Sequence, residues 1–459
     1  MDPIGSVHAL LARHAPDFRL DVLAGGDVQA AMRRALACLP PRQRRRDSPL
    51  DPMLVLWLVL AMGLFRSLSI PNVFARLMSA WRGRLRGLPL RPVTDGALAH
   101  ARERLGVAPV RHLFETLASQ VGPAPHFHGR RVWAMDGTVL TVQDTPANEA
   151  AFGRQVAPHG ARSAFPQLRL VTLASALTHE IRAARWCRNN VGEMRAARPL
   201  LRTMGPGDLL LLDRGLGGMA VATQLVAQGA EFLYRLKCSA RPRVTRRRAH
   251  GDYDVTLVSR CQSEDGTWRT LTLYARMIVY SAGGETVRLL TNVLDESVQA
   301  MELVALYHER WEVELTFDEI KSHLAAPASY AVDTTFRGLS GPMVEQELWA
   351  TLTLFNLLRR LMADAARVHR IDPREISFVD SLEVVRLTLP GVQGSAPDRL
   401  LPLYVQLMTD LAGCVLDRCR RPRTAPRAIK VKIRPYRRKR PGERCSHFDF
   451  FAQVTLGIA

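Results

Sequence analysis

Four residues of complementary chemistry recur at helical spacing after the middle of the chain. They stand at positions i, i+3, i+7 and i+14 and are Tyr307, Arg310, Glu314 and Lys321. At about 100° per residue, a uniform α-helix would place all four within an arc of roughly 60°. A carboxylate between two cations suits a site that binds a metal ion and a phosphate. The alternative is an exposed helix stabilised by ion pairs between residues four apart.

Other acids on this predicted helix, residues 301–324, have to be separated from Glu314. Three glutamates fall on other faces and are interpreted as ordinary surface charges: Glu309, Glu312 and Glu319. Asp318 lies one turn after Glu314 on nearly the same face. Periodicity alone therefore leaves both Glu314 and Asp318 as candidate ligands.

Two aspartates elsewhere follow short apolar runs that are typical of buried strands. Asp136 ends the run 131–136, Asp213 ends the run 208–213, and each is followed within two residues by a glycine. Sites in open α/β sheets form where strands end, so both aspartates are candidate site residues. Each could instead cap a turn. Two or three such carboxylates suffice to hold a pair of Mg²⁺ ions that cleave a phosphodiester.

The charge balance favours a polyanionic partner. The 459 residues carry 63 Lys and Arg against 43 Asp and Glu, for a net charge of +20. This excess indicates DNA or RNA rather than a small neutral substrate, with an anionic membrane surface as the rival. The best apolar run, residues 53–65, is too short to span a bilayer. Seven scattered cysteines without a CxxC pair fit a reducing cytoplasm.

The elements that must position these residues indicate a multidomain α/β protein. Residues 1–125 are predicted to form helices with basic loops, which indicates a DNA-binding domain, with a helical packing domain whose arginines are solvated as the alternative. Residues 126–330 alternate strands and helices, as an α/β catalytic domain does, and a β insertion interrupts them at about 241–284. Residues 331–459 form a helical region whose tail, 418–444, is rich in Arg, Lys and Pro. Such a tail buries no core and is predicted to be an extended DNA-binding arm.

Taken together, the motifs resemble those of DDE transposases of the insertion-sequence-four family. The signature of that family is Tyr, two residues, Arg, three residues, Glu, six residues and Lys, which the helix at 307–321 matches without a gap. The segments that begin at Asp136 (Asp-Gly-Thr) and Leu212 (Leu-Asp-Arg-Gly) resemble the family's first and second aspartate motifs. One departure is the run Leu-Gly-Gly-Met at 216–219, where the family usually has an aromatic residue.

The resemblance implies a ribonuclease-H-like core and a role for each site residue. Asp136, Asp213 and Glu314 are then ligands of two Mg²⁺ or Mn²⁺ ions, and the signature selects Glu314 over Asp318. The DNA- and phosphate-binding residues that it implies are Tyr307, Arg310, Lys321 and Trp268. In the family, an aromatic residue of the β insertion stacks on a flipped base. Trp268 is the candidate for this role, with a place in the core of the insertion as the alternative.

The implied activity is cut-and-paste transposition of an insertion sequence. The enzyme would cut at terminal inverted repeats, pass through a hairpin and join the freed 3′-OH to target DNA. Its implied partner is double-stranded DNA, held by a homodimer in a synaptic complex, and no membrane partner is implied. The implied location is the bacterial cytoplasm, at the nucleoid. The alternatives are a catalytically silent DNA-binding derivative of a transposase and a basic RNA-binding or chromatin protein.

Overall fold

The computed structural model describes residues 28–40, 50–79, 93–156, 160–262, 267–282, 285–324, 336–394, 400–416 and 454–457. The predicted basic tail, 418–444, lies outside these residues. The described chain forms two compact units. Unit 1 comprises the described residues within 1–126, 131–203 and 311–415, and unit 2 comprises the described residues within 127–130, 204–310 and 416–459. Within the described part, no helix combines the length and apolarity that crossing a membrane requires.

Unit 1 begins with five helices: α1 (Val28–Leu36), α2 (Pro52–Leu64), α3 (Ile70–Ser79), α4 (Asp95–Leu105) and α5 (Ala108–Ala118). Asp51 and Thr94 cap α2 and α4 by accepting backbone N–H groups. Helix α2 is apolar on all sides because α1, α4 and the long helix α11 (Gly341–His369) surround it. A buried ion pair between Arg102 and Glu347 joins α4 to α11.

The sheet of unit 1 is an antiparallel meander of β1 (Arg131–Thr141), β2 (Gln167–Ser175) and β3 (Ile181–Arg188). Helices α6 (Pro146–Phe152) and α7 (Glu193–Ala197) and a 3₁₀ turn (Arg198–Thr203) complete this part. The prediction that Asp136 ends a strand is wrong. Asp136 pairs with Thr172 in the middle of β1, since the β-forming residues 138–141 continue the ladder to Gln167.

The predicted single helix at 301–324 is also wrong in detail. Its helical backbone changes pitch three times, from α9 (Ala300–His308) through a 3₁₀ turn (Glu309–Trp311) and α10 (Glu312–Asp318) to a π-helical turn (Glu319–Leu324). A uniform 100° per residue therefore does not hold along the signature. The rest of unit 1 is α11, a 3₁₀ turn (Pro373–Glu375), α12 (Phe378–Gly394) and α13 (Leu400–Ala412).

Unit 2 has a mixed sheet with the strand order β4-β5-β9-β8-β7-β6. Strands β4 (Asp208–Leu212) and β5 (Glu231–Arg235) are parallel, because α8 (Met219–Ala227) provides the crossover between them. The other neighbouring pairs are antiparallel and involve β6 (Arg243–Ala249), β7 (Asp252–Gln262), β8 (Trp268–Ala282) and β9 (Glu285–Thr291). A short strand near the end of the chain, β10 (Thr455–Leu456), pairs with β8.

The expected fold class is confirmed as mixed α/β. Three antiparallel strands precede a parallel pair joined by a helix, in the chain order expected of a ribonuclease-H-like core. The strands β6, β7 and β8 occupy the predicted insertion, and the helices α1–α5 occupy the predicted N-terminal region. The domain boundaries themselves stay a prediction.

Candidate active site

In unit 2, Asp213 lines a cationic cavity. The aspartate follows the buried strand β4 directly, as predicted, and the cavity has a volume of about 600 Å³. Its lining residues are Asp213, Arg214, Gly215, Arg235, Lys237, Cys238, Ser239, Tyr307 and Arg310. Four cations therefore surround one carboxylate and one phenol. Phosphate oxygens are the natural ligands of such a cluster.

The carboxylate of Asp213 has a fixed orientation. Its Oδ1 accepts the backbone N–H of Leu216 at 2.7 Å, and its backbone carbonyl accepts the N–H of Gly217 at 2.9 Å. Asp213 therefore does cap this turn, as the structural alternative predicted. Because the cap uses one carboxylate oxygen, it orients the group without removing its ability to bind a cation.

Tyr307 shares this cavity and is electrostatically linked to Asp213. Burial raises the pKa of the Tyr307 phenol and Asp213 raises it further, while Arg310 and Arg235 oppose the rise. The phenol therefore stays protonated at neutral pH and can donate a hydrogen bond to an anionic oxygen. Arg235 also pairs with Glu285 on β9, which restricts its guanidinium.

Gly217, in the run that lacks the family's aromatic residue, packs against an aromatic side chain of the neighbouring strand. A Cβ on Gly217 would lie 2.4 Å from Cδ2 of Tyr234, whose side chain is buried on β5. The tyrosine ring thus occupies the space beside this turn. A larger side chain at 217 would have to displace a buried aromatic ring.

In unit 1, Lys321 contacts the face of β1 that carries the side chain of Asp136. The ammonium of Lys321 donates to Oγ1 of Thr138 at 3.2 Å, and Thr138 is two residues after Asp136. Side chains two apart on a strand share a face, so this hydrogen bond brings a cation to the side of the sheet that carries Asp136. Surrounding protein atoms lower the pKa of Lys321 by excluding water, and Asp318 opposes this effect.

The opposite face of β1 explains the glycine of the first aspartate motif. An ideal Cβ on Gly137 would lie only 1.9 Å from Oε1 of Glu193, at the start of α7. The backbone N–H of Gly137 also donates to Oδ1 of Asp136 at 2.8 Å. Any side chain at 137 would displace the carboxylate of Glu193 from its place against the strand.

Glu314 lies on α10, which packs against β1 and β2. Its side chain is half-buried, whereas Asp318 is exposed and accepts a hydrogen bond from Ser322 at 2.7 Å. Helix packing thus brings α10 to the strand that carries Asp136.

The chemistry of the acids fits a divalent cation, since Asp136, Asp213 and Glu314 offer only carboxylate oxygens and are half-buried. The acids are divided between the two units, with Asp136 and Glu314 in unit 1 and Asp213 in unit 2. Within the described ranges, no group of three or more His, Cys, Asp or Glu side chains is arranged to hold a metal ion. Their joint ligation of metal ions stays a prediction.

Trp268 is not a core residue of the β insertion, so that alternative is wrong. It begins β8 in unit 2 with 61% of its surface exposed, and the guanidinium of Arg260 lies 5.9 Å from the ring centroid. The exposed ring is free to stack, but its role in stacking stays a prediction.

Sequence reasoning missed a buried polar cluster beside Glu314. Glu312 and Glu319 were expected on the surface, but both are buried against His179 and Arg359 in unit 1. The available signal was their seven-residue spacing, which puts them on one helix face. That spacing could not show which face is buried, because the partners that replace water around these acids, His179 and Arg359, come from distant parts of the chain.

Comparisons with known proteins agree with the sequence motifs. The family model described as "Transposase DDE domain" matches residues 127–331, and the model for the N-terminal region of the insertion element 4 transposase matches residues 30–115. The protein is therefore a DDE transposase, an enzyme of DNA transposition.

The full-length similarity narrows this assignment. The chain is 30% identical over 403 residues to the transposase InsG of insertion sequence element IS4 from Escherichia coli K12, covering 85% of this chain and 87% of InsG. The chain belongs to the insertion element 4 family of transposases. A cryo-EM structure of the piggyBac transposase synaptic complex with hairpin DNA has a TM-score of 0.43 and 13% identity, covering 88% of this chain and 85% of that chain. A similarity of that size establishes neither a shared fold nor a shared function.

Proposed function

We propose that this transposase moves its element by cut-and-paste, through phosphodiester hydrolysis and strand transfer at terminal inverted repeats. Water attacks a phosphorus at the element end, and the P–O3′ bond breaks to free a 3′-OH. This 3′-OH attacks a phosphorus of the target, where the P–O3′ bond of the target strand breaks and leaves a 3′-OH on that strand. The supporting observation is the cavity of about 600 Å³ that combines Asp213 with four cations. A carboxylate among phosphate-binding groups is what metal-assisted phosphoryl transfer requires.

Asp136, Asp213 and Glu314 serve as the ligands of two divalent metal ions, Mg²⁺ or Mn²⁺. Such ions, when bound, activate the attacking oxygen and stabilise the leaving one. The oxygen-only donor set supports this choice of metal. The half-burial of the three acids supports it as well, because it leaves the carboxylates accessible to a substrate.

Arg310 and Lys321 hold phosphates beside the scissile bond, and Tyr307 donates to a phosphate oxygen. The position of Arg310 in the cavity wall supports its role, as does the protonated state of Tyr307. The hydrogen bond from Lys321 to Thr138 supports a phosphate site on the face of β1 that carries Asp136. Charge-assisted donors of this kind orient the phosphate and offset its charge.

Trp268 stacks on a base that leaves the duplex near the cut. Two features support the role: the ring is exposed, and Arg260 beside it can pair with a phosphate. Stacking of a base on an aromatic ring contributes roughly 1–3 kcal/mol, enough to favour the flipped base during formation of a hairpin.

The partners of this reaction are the two element ends and a target duplex, held together by a homodimer in a synaptic complex. The net charge of +20 supports contact with several DNA segments at once. We place the enzyme in the bacterial cytoplasm, at the nucleoid, because its substrate is chromosomal DNA.

The test uses the full chain and a supercoiled plasmid that carries the gene with its flanking DNA. Asp136→Asn, Asp213→Asn and Glu314→Gln should each reduce Mn²⁺-dependent nicking by roughly a thousandfold, since metal-bound charge stabilisation is worth several kcal/mol. Asp318→Asn is the matched control on the same helix and should leave nicking unchanged. Gel-shift assays should show DNA binding retained in all four variants.

Three results would contradict parts of this proposal. Full nicking by the variants at 136 and 314 would reject the metal-ligand assignment. Loss of nicking by Asp318→Asn together with full nicking by Glu314→Gln would transfer the third ligand to Asp318. DNA binding without any nicking by the unmodified chain would identify a catalytically silent derivative.

A further inference from the structure

A cluster of four buried charged or polar side chains lies beneath the short helix α10 in unit 1. This cluster, named here the His179 cluster, consists of His179, Glu312, Glu319 and Arg359, each at most 6% exposed. Nε2 of His179 lies 2.5 Å from Oε2 of Glu312, and Nδ1 lies 2.7 Å from Nη2 of Arg359. Arg359 also donates to both carboxylate oxygens of Glu319.

The hydrogen-bond directions in the cluster follow from the guanidinium. Nδ1 of His179 lies 2.7 Å from Nη2 of Arg359 and 3.4 Å from Oε2 of Glu319. Arginine only donates, so at the shorter of these distances Nδ1 accepts from Arg359, and Nε2–H then donates to Glu312. His179 thus links Arg359 on α11 to Glu312 at the start of α10 through two hydrogen bonds. Glu319, at the start of the π-helical turn, is held by the same guanidinium. One arginine therefore fixes both ends of α10.

The imidazole is presented by a firmly held hairpin tip. His179 lies between β2 and β3 in the left-handed region, with φ of 63°, which non-glycine residues adopt only where the surroundings hold them there. Asn356 on α11 accepts the N–H of Ile181 at 2.8 Å and donates to its carbonyl at 2.7 Å. Arg360 pairs with Glu180 at the same tip. The tip and α11 thus form one rigid platform under α10.

Side-chain contacts beneath helix α10 can fix its orientation, because the helix is short and its pitch changes at both ends. It is seven residues long, with a 3₁₀ turn before it and a π-helical turn after it. The changes of pitch interrupt the regular α-helical hydrogen bonding at both ends of α10, a feature often found at functional sites. Glu312 and Glu314 are two residues apart, about 200° around the helix. A contact that holds Glu312 inward therefore directs Glu314 outward.

We propose that His179 and Arg359 are positioning residues for Glu314, acting by holding Glu312 and Glu319 on the buried face of α10. The inference rests on the proposed role of Glu314 as a metal ligand. Burial of these charges is costly, and apolar side chains of similar volume often stabilise a protein as well or better. A specific geometric role accounts for four such residues beneath one short helix.

The experiment compares four variants of the full chain: His179→Ala, His179→Gln, Glu312→Gln and Glu347→Gln. Glu347 is the matched control, because it is a buried acid on α11 paired with Arg66 and Arg102, away from α10. Two quantities are measured: the Mn²⁺ affinity of the DNA-free chain by electron paramagnetic resonance, and the Mn²⁺ concentration that gives half-maximal nicking of a supercoiled plasmid. Urea unfolding of each variant measures its stability.

Loss of a group that orients a metal ligand weakens metal binding by roughly tenfold or more. His179→Ala and Glu312→Gln should therefore weaken Mn²⁺ binding and raise the Mn²⁺ requirement of nicking to that extent. His179→Gln should restore both quantities toward the unmodified values, since its amide supplies a donor and an acceptor in place of Nε2–H and Nδ1. Glu347→Gln should lower stability but leave both quantities unchanged.

The proposal is overturned if His179→Ala and Glu312→Gln keep the Mn²⁺ affinity and Mn²⁺ requirement of the unmodified chain. It is equally overturned if Glu347→Gln changes them as much at similar stability, since the effect would then reflect stability alone. Should His179→Ala fail to fold, Glu312→Gln decides between these outcomes. Glu314→Gln is measured in parallel. Unchanged Mn²⁺ binding and nicking in that variant would reject the proposed metal ligand itself rather than its positioning.

Discussion

At the scale of single residues, the turn after Asp213 is shaped by a side chain from the neighbouring strand. Gly217 leaves room for the ring of Tyr234, and the cap from Leu216 to Asp213 depends on the path of this turn. The next residue, Gly218, has no atom within 4 Å of an added Cβ, and its extended backbone accommodates any residue. Two adjacent glycines therefore have opposite requirements.

Gly217→Ala should lower the free energy of unfolding by about 1–3 kcal/mol, the usual cost of overpacking. Gly218→Ala should change the free energy of unfolding by less than about 0.5 kcal/mol, because the gain from restricting the unfolded chain is offset by the lower preference for Ala at the N-cap of α8. Urea unfolding of the two variants measures the difference. Equal effects at 217 and 218 would contradict the close contact with Tyr234.

At the scale of elements, local sequence predicted most helices and strands but not their exact use. The apolar run 131–136 and the glycine at 137 suggested that a strand ends at Asp136, yet the ladder with β2 continues to Thr141. The missing information was the partner strand, which is supplied by tertiary structure rather than by the run itself. For β4, burial on both faces made the apolar run end at Asp213 without ambiguity.

The helix of the signature shows the same limit. Residue types and spacing were sufficient to mark Glu314 and Lys321 as candidate site residues, but they left Asp318 as a second candidate, and the resemblance to the family signature selected Glu314. They could not show that the backbone changes pitch at Glu309 and Glu319, because such changes depend on packing beneath the helix. The partners of Glu312 come from residues 133 and 47 positions away along the chain, His179 directly and Arg359 through it. The residue pattern around Glu312 does not predict contacts with such distant residues.

The buried carboxylate of Glu319 makes this junction sensitive to acid. Burial alone raises its pKa, but the ion pair with Arg359 and the contact with His179 together outweigh burial and hold the pKa at about 2, below the ordinary 4.5. A depressed carboxyl pKa stabilises the fold above the unfolded-state value, and that stability is lost as pH falls from about 4.5 toward 2. Glu180, at the hairpin tip, has its pKa raised by burial and contributes in the opposite direction.

Between pH 6 and pH 2.5, the unmodified chain should therefore lose more stability than Glu319→Gln, by an amount on the order of 3 kcal/mol. The glutamine cannot titrate, so the difference between the two chains isolates Glu319 from Glu180. Urea midpoints measured across this pH window provide the comparison. Parallel curves for the two chains would contradict the charged pair with Arg359.

At the scale of the whole molecule, the net charge is the property most directly tied to DNA. The segment 418–444 alone contains thirteen of the 63 arginines and lysines and a single acid. Eleven residues further along the sequence, β10 pairs with β8 in unit 2. The next residue, Gly457, packs so closely on His250 that an added Cβ would lie 2.0 Å from Nε2 of that histidine. Deletion of residues 418–459 would remove both the charge and this strand, so deletion cannot separate their effects.

Two variants of the full chain separate them. Replacing the thirteen arginines and lysines of 418–444 by glutamine keeps β10, whereas Gly457→Ala disturbs the docking of β10 and keeps every charge. Each phosphate that a cation neutralises adds about 0.9 to the slope of log K against log salt concentration. The glutamine-substituted chain should therefore bind a short linear duplex more weakly, and its slope should fall by roughly that amount for every phosphate left without its cation.

Gly457→Ala should leave the salt slope unchanged, because it removes no cation, even where the free energy of unfolding falls. Fluorescence anisotropy with the labelled duplex, over a series of salt concentrations, measures both variants. If the glutamine-substituted chain retained the full slope, the DNA-binding charge would have to lie elsewhere, and the exposed arginines of β6 would be the next cations to substitute. If Gly457→Ala lowered the slope as much, DNA binding would depend on the docked strand rather than on the charge of the tail.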